Sequence, residues 1–359
     1  MSVETRRRAR YTIALPVRNG GHYLRECVEG VLAQSCGDFA LEILENASAD
    51  GTAEWLRTLT DSRIRVWPAP QPLSIQANWR RAVDLPKGDF LLFVGHDDRL
   101  DPHYLATIDA LIRRAPDAAL FTTHFRLIDA EGRVIRRCQP MPGRETMAGF
   151  LRTRLTFRTD MTATGVVMRA AAHDALGGIP PFDTLAHADD ALWLGLLGGT
   201  WKATAPDEAF SFRWHRASAF GSLSWRSAVT AMEQFAHHVE RLARTHTELG
   251  AVWRQHGPRF LARRYRYIIL SATMRQRSEG TRFGPREREE ALASLDRLSP
   301  PAASRLRRSW RVRLAASVPG GPATAALFAC WEAYWRLRWR WTGAALRARA
   351  ATGGDPGGR

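Results

Sequence analysis

Between Thr12 and Thr122 short apolar runs alternate with amphipathic segments, and no other feature restricts the fold as much. Thr12–Val17, Phe39–Glu45, Arg63–Trp67, Phe90–Val94 and Ala118–Thr122 read as strands. After the first of them, Leu24, Cys27, Val28, Val31 and Leu32 recur at spacings of three and four, which puts them on one helical face. Thr52–Thr60 and Ser74–Val83 read as further helices. Asp101-Pro102 opens another, with an N-cap residue followed by Pro. Phe90–Val94 is apolar without interruption, the pattern of a strand covered on both faces. The alternation predicts an α/β fold, a mostly parallel sheet flanked by helices. Such sheets take ligands at the carboxyl ends of their strands.

The pattern becomes irregular from about 124 to 160, where Asp129-Ala-Glu-Gly132 reads as a hairpin turn. Then come a strand at Gly165–Met168, a short helix ending at Gly177-Gly178, an apolar helix at Ala191–Leu197 and β-like runs at Trp201–Thr204 and Ala209–Phe212. Nothing beyond Ser222 reads as strand. Helical stretches run to about 350, interrupted near Gly280–Gly284, Pro300-Pro301 and Pro319–Pro322. The expected domains are an α/β domain at 1–221, a basic helical region at 222–350 and a flexible tail at 351–359.

The charge follows the same division. Residues 1–220 hold 27 Lys+Arg and 26 Asp+Glu, whereas residues 221–359 hold 25 and 10. The net charge of +16 therefore belongs to the C-terminal part. Lys87 and Lys202 are the only lysines, a bias that reads as coding preference. The basic region raises a nucleic-acid-binding function, but no helix-turn-helix, zinc or RNA-binding pattern accompanies it. Cys27, Cys36, Cys138 and Cys330 form no C-x-x-C pair, which argues against a zinc site or a disulfide scaffold and fits a reducing compartment. No signal peptide and no span of about 20 uncharged apolar residues is expected.

Carboxylates fall where strands end. Glu45 and Asp50 follow the second strand, Asp97 and Asp98 the fourth, and Asp189 and Asp190 open the apolar helix. Hard divalent cations favour such oxygens and bridge to phosphates. A separate carboxylate then serves as general base.

Five segments, in order, resemble the inverting GT-A glycosyltransferases of family 2: IALPVRNGGHYLRECVEGVLAQS, LEILENASADGT, SIQANWRRAVDLPKGDFLLFVGHDDRLDPHYL, TATGVVMRAAAHDALGGIPPFD, and HADDALWLGLLGG with FSFRWHRASAF. The resemblance covers about residues 11–221. It implies a GT-A nucleotide-sugar-binding fold and an inverting, divalent-metal-dependent transfer from a UDP- or dTDP-sugar to a glycan or lipid-linked acceptor of the cell envelope. Pro16, Val17 and Asn19 would shape the loop under the nucleotide. Glu45 stands where the family usually has Asp against the base N–H, with Asn46 beside it, and Asp50 would order the loop near the ribose. Asp98 would hold Mg²⁺ or Mn²⁺, with Asp97 touching the ribose or the metal. Gly95 replaces the first acid of the family's D-x-D-D pattern, which also raises a catalytically silent scaffold. Asp189 or Asp190 would be the base, with Asp189 ahead on alignment at Trp193. His215 is a third ligand, a diphosphate contact or a strand-end residue fixing a loop. His22 and His103 read as helix-surface positions, and a solvated face is expected for Arg80 and Arg81.

Residues 322–341, PATAALFACWEAYWRLRWRW, place Leu327, Phe328, Trp331, Tyr334 and Trp335 on one face, with Arg336 and Arg340 opposite. That pattern suits a helix lying in a membrane interface, or one packing its aromatic face on the catalytic domain. The expected location is the cytoplasm, with this helix on the cytoplasmic face of the membrane.

Overall fold

A computed structural model describes residues 8–215, 223–279 and 283–317. The 322–341 segment and the 351–359 tail lie outside the described residues. The described chain divides into two compact units. The first takes in residues 8–147, 160–181 and 188–215, and the second 148–159, 182–187, 223–279 and 283–317.

The first unit begins with β1 (Tyr11–Val17), α1 (Gly21–Leu32), β2 (Phe39–Glu45), α2 (Thr52–Leu56), β3 (Ile64–Pro68), α3 (Ile75–Arg80) and β4 (Phe90–Phe93). It continues through β5 (Arg99–Leu100), α4 (Tyr104–Arg114), β6 (Leu120–Ile128), β7 (Val134–Arg137) and β8 (Arg144–Thr146). Helix α5 (Met147–Leu155) leads out of it; β9 (Val166–Arg169), α6 (Ala170–Ala175), α7 (Ala188–Leu196) and β10 (Trp201–Arg213) complete it. One ten-stranded sheet runs β3-β2-β1-β4-β9-β6-β10-β5, with β7 on β6 and β8 on β10. The pairs β3–β2, β2–β1, β1–β4 and β6–β10 are parallel, and β9 lies antiparallel between β4 and β6.

Strands β1, β2 and β4 are almost wholly buried, as their apolar runs require. Helix α1 buries Leu24, Cys27, Val28 and Val31. Each such side chain contributes about 1.5–3 kcal/mol on leaving water. Phe125 and Phe210 stack at 4.8 Å in the core. Gly165, at φ +77°, runs beneath them; a Cβ there would stand 2.3 Å from the Phe210 ring, so only glycine fits.

Several expected boundaries move, the Ala118–Thr122 strand becoming Leu120–Ile128 among them, and three of the differences have a local reason. Helix α2 stops at Leu56, because Thr58 bonds the Trp55 carbonyl through both its N–H (2.9 Å) and its hydroxyl (2.7 Å) and tightens the turn. Helix α4 starts at Tyr104 with His103 at the N-cap: the Asp101 carboxylate is taken by Arg126, so it does not cap. The two β-like runs after Trp201 are one strand, β10, with register shifts opposite β6 between Ala205 and Phe210. Pro206, which has no N–H for the ladder, sits in that irregularity. The hairpin at Asp129–Gly132 forms between β6 and β7.

In the second unit, α8 (Trp225–Ala243), α9 (Thr247–Glu279), α10 (Pro285–Leu298), α11 (Pro300–Arg307) and α12 (Trp310–Ser317) pack around Phe235, Phe260, Tyr265, Ile269 and Leu295. Its described residues contain no strand. Among the described residues no helix is long and apolar enough to cross a membrane.

Candidate active site

The in-register pairing of β1 with β2 sets Val17 opposite Glu45, so the loops after both strands leave the sheet at one edge. Side chains stitch these loops together. The Asn19 N–H donates to Ser48 Oγ (2.9 Å), and Asn19 Oδ1 accepts from the Ala49 N–H (2.9 Å). Asp50 accepts from the N–H groups of Gly21 and Thr52 (both 3.1 Å), and Thr52 Oγ1 accepts from Gly20 (2.9 Å). Desolvation raises the Asp50 pKa slightly, but the Thr52 hydroxyl and then these amide bonds prevail and hold it below its ordinary value. Asn19 and Ala47 adopt φ +54° and +48°, a conformation that costs a non-glycine residue energy and that the cross-bonds over-determine.

Glu45 is buried, and its carboxylate folds back to accept from the Ala47 (3.2 Å) and Ser48 (2.7 Å) N–H groups. Asn46 joins the loop to residue 73, giving a bond to the Leu73 carbonyl (3.0 Å) and taking one from its N–H (2.7 Å). Arg80 and Arg81 do not form a solvated face. Arg80 donates to the Ile179 carbonyl, and Arg81 to the carbonyls of Glu45, Trp67 and Pro68 and to Asn78. No interaction of the Pro16 ring defines a ligand contact; its place in β1 is buried, opposite Leu44.

The second part of this edge follows β4, which pairs in parallel with β1. The chain turns at Gly95, where the Asp98 N–H bonds the Gly95 carbonyl (3.0 Å) and the Gly95 N–H donates to Thr164 Oγ1 (2.8 Å). The turn brings Asp97 and Asp98 together over Gly95. A Cβ on Gly95 would stand 2.9 Å from Asp97 Oδ1, 3.0 Å from Asp98 Oδ2 and 3.3 Å from Thr164 Oγ1. Asp98 is 2% exposed, and its Oδ1 accepts from the Arg213 N–H (2.8 Å). Burial, and then the charge of Asp97, push the Asp98 carboxyl well above the carboxylate range. Burial also raises Asp97, but the His215 hydrogen bond and the nearby His96 prevail and hold it below. His215 Nε2 lies 2.9 Å from Asp97 Oδ2, and the His215 ring packs 5.4 Å from that of Tyr23. Burial lowers the His96 pKa.

Two carboxyl groups converge over a glycine, with an imidazole on one of them. This donor set fits a hard divalent cation, whose charge would offset the burial and the neighbouring acid that raise Asp98. Asp98 and Asp97 are the residues that would hold it. Gly95 explains the departure from the D-x-D-D pattern: the volume an acid side chain would need there is filled by the two acids that remain.

Asp189 and Asp190 lie in the first turn of α7. Asp189 Oδ1 accepts from the Asp190 N–H (2.8 Å) and is half-buried; Asp190 is 3% exposed. His187, just before them, adopts φ +62°. His22 and His103 are exposed, as their surface reading requires.

Thr164, Glu26 and Arg213 were not named individually as site residues, although each lies in a segment that carries the family resemblance: Glu26 in the first, Thr164 in the TATG run and Arg213 two residues before His215 in FSFRWHRASAF.

Residues 12–174 match the family described as Glycosyl transferase family 2. The O-antigen biosynthesis protein RfbC of Myxococcus xanthus is 32% identical over 130 residues, covering 35% of this chain and 10% of that protein. A PGL/p-HBAD biosynthesis glycosyltransferase of Mycobacterium bovis is 32% identical over 107 residues, covering 28% of this chain and 41% of the relative. The chain thus spans from a tenth to about two fifths of the curated relatives it matches. Among solved structures, S. aureus TarS 1-349 in complex with UDP-GlcNAc superposes with a TM-score of 0.60 at 14% identity, over 83% of each chain. The mannosyltransferase PcManGT from Pyrobaculum calidifontis, in complex with GDP-Man and Mn²⁺, gives 0.51 at 15% identity, over 96% of this chain and 87% of that one. These likenesses are of fold, and that fold is GT-A. Residues 12–174, which hold the stitched β1 and β2 loops and the acid pair after β4, are the part of the chain that matches glycosyl transferase family 2.

Proposed function

We propose that this chain is an inverting glycosyltransferase that moves a sugar from a UDP- or dTDP-sugar to a hydroxyl of a glycan or lipid-linked acceptor. The observation that carries the reading is the convergence of Asp97 and Asp98 over Gly95, on the same sheet edge as the stitched β1 and β2 loops. The loops would take the nucleoside. Glu45 would accept from the base N–H with capacity its two amide bonds leave free, since an ionised carboxylate has about four lone-pair sites. Asp50 and Asn19 would hold the loop under the ribose. Asp98 and Asp97 would hold Mg²⁺ or Mn²⁺ and His215 would orient Asp97; the bound ion supplies Lewis-acid stabilisation to the departing diphosphate.

Asp189 would be the general base. It is half-buried and so open to an incoming acceptor, whereas Asp190 is almost fully buried and is the second choice. The acceptor hydroxyl gives its proton to the carboxylate as its oxygen attacks the anomeric carbon. The bond to the diphosphate breaks, with oxocarbenium character at the sugar. A single displacement inverts the configuration. The names of the relatives, O-antigen and PGL/p-HBAD biosynthesis, support a cell-envelope acceptor.

A panel of UDP-, dTDP- and GDP-sugars with and without Mn²⁺ tests this reading, through nucleoside diphosphate release. Release from no donor under any condition would favour the silent scaffold. The 322–341 helix would place the enzyme on the cytoplasmic face of the membrane. Liposome flotation with anionic lipid checks that placement, and a full chain that never floats at low salt would reject it.

A further inference from the structure

We propose that Arg213 is the positioning residue of the acid pair, holding Asp97 and Asp98 in register with each other and with His215. This inference rests on the cation site proposed above. Arg213 ends β10 and is 1% exposed, although a guanidinium is costly to bury without partners. Its partners account for it. The backbone N–H donates to Asp98 Oδ1 (2.8 Å), and Nε donates to the Asp97 carbonyl (2.8 Å). Nη1 donates to the carbonyls of Asp129 (3.2 Å) and Ala130 (2.9 Å), and Nη2 to Glu26 Oε2 (2.6 Å).

The guanidinium carbon lies 4.4 Å over the Tyr23 ring, whose hydroxyl bonds the same Ala130 carbonyl at 3.2 Å. Glu26 Oε2 also accepts from Arg99, the residue after Asp98. One side chain therefore fastens the acid loop to α1 and to the turn between β6 and β7. None of the guanidinium's acceptors is a side-chain oxygen of Asp97 or Asp98. The bonds go to the frame around the acids, in several directions at once, which a planar fork of donors satisfies and a point charge does not. Two residues on, His215 reaches Asp97 Oδ2. The short run from Arg213 to His215 thus touches both acids.

Arg213→Lys keeps the charge and loses the fork. Groups that orient metal ligands from outside typically cost 10–100-fold when removed, so Mn²⁺ affinity, read by electron paramagnetic resonance on the protein and metal alone, should fall about tenfold or more. UDP affinity without metal should stay within about twofold, because the β1 and β2 loops do not contact Arg213. Glu26→Gln is the second variant. It keeps the shape at a partly exposed site, should fold if Arg213→Lys does not, and should lower Mn²⁺ affinity by a smaller factor. Unchanged Mn²⁺ affinity in both variants overturns the inference. Equal loss of metal-free and metal-dependent UDP binding also overturns it, since that is what a general structural role would give. A wild-type protein that takes up no Mn²⁺ overturns the cation site and this inference with it, whereas Mn²⁺ uptake that Arg213→Lys leaves intact removes the inference alone.

Discussion

The loops after β1 and β2 and the turn after β4 share a sheet edge and a residue type, yet their carboxylates are held in opposite ways. Asp50 and Glu45 each accept two backbone N–H groups, and these bonds close their loops. Asp97 and Asp98 face each other, and one of them is driven above its ordinary pKa by burial and by the other. A carboxylate bonded to the amides of its own loop shapes that loop and keeps capacity only for a neutral N–H donor. Two acids brought together in a buried turn suit a ligand of opposite charge. The difference separates loop-shaping acids from cation-holding acids more sharply than their spacing in the sequence does.

The largest expected effect comes from the repelling pair. Asp98→Asn should remove transfer by a factor of roughly 10³ or more, in line with the loss of a preorganised charge at a reacting centre, while the protein stays folded. Thermal unfolding beside a transfer assay checks this; an active Asp98→Asn enzyme would move the site elsewhere. Next is Asp189→Asn, expected to lower kcat by about 10²–10⁴ with donor affinity unchanged, because a base acts on the acceptor proton. If Asp189→Asn is fully active and Asp190→Asn is not, the base is the buried acid.

Gly95→Asp would restore the family's first acid, and it turns the comparison into a direct contest. The added side chain meets Asp97, Asp98 and Thr164 at about 3 Å, so we expect overpacking of about 1–3 kcal/mol and a loss of Mn²⁺ affinity rather than a gain. Tighter Mn²⁺ binding in that variant would show that the acids can part. Asp50→Ala tests the other region: loop bonds of this kind are worth about 0.5–1.5 kcal/mol each, so donor KM should rise severalfold with kcat little changed.

The smallest effect is on stability. The Arg99 and Arg213 contacts outweigh burial and hold Glu26 below its ordinary pKa. Such a group stabilises the fold above its unfolded pKa, and that contribution is lost as pH falls through the folded value. Glu26→Gln should therefore lower stability modestly in the neutral range, and the difference from the wild type should close as pH falls through the folded pKa of Glu26. Parallel acid melts of the two proteins measure it.

Much of this was legible in the chain itself. Phe39–Glu45 is a strand with both expected ends, and the uninterrupted Phe90–Val94 run marks the covered centre of the sheet. The acids after β2 and β4 stand on one edge because the strands before them are parallel, which the strand–helix alternation implies. What was hidden depends on partners distant in sequence. Asp101 looked like a cap until Arg126 took its carboxylate. Arg213 lay in a quoted motif two residues before His215, but its partners, Glu26 and the carbonyls of Asp97, Asp129 and Ala130, are distant in sequence. The arginine bias of the whole chain hid the meaning of its two exceptions. Lys87 is buried with Nζ donating to the carbonyls of Ala82, Val83 and Leu85, and Lys202 is buried against Glu145 at 2.6 Å. At Lys87 three donors on one nitrogen meet three acceptors, a geometry suited to an ammonium and unsuited to a flat guanidinium.

The claim that the two regions do different work is tested most directly by calorimetric titration of UDP, with and without Mn²⁺, into the wild type, Asp50→Ala and Asp98→Asn. The account predicts that Mn²⁺ tightens UDP binding in the wild type. Asp98→Asn should lose that gain and keep its metal-free affinity, while Asp50→Ala should weaken both conditions in the same proportion. An Asp98→Asn protein that keeps the full Mn²⁺-dependent gain would contradict the account.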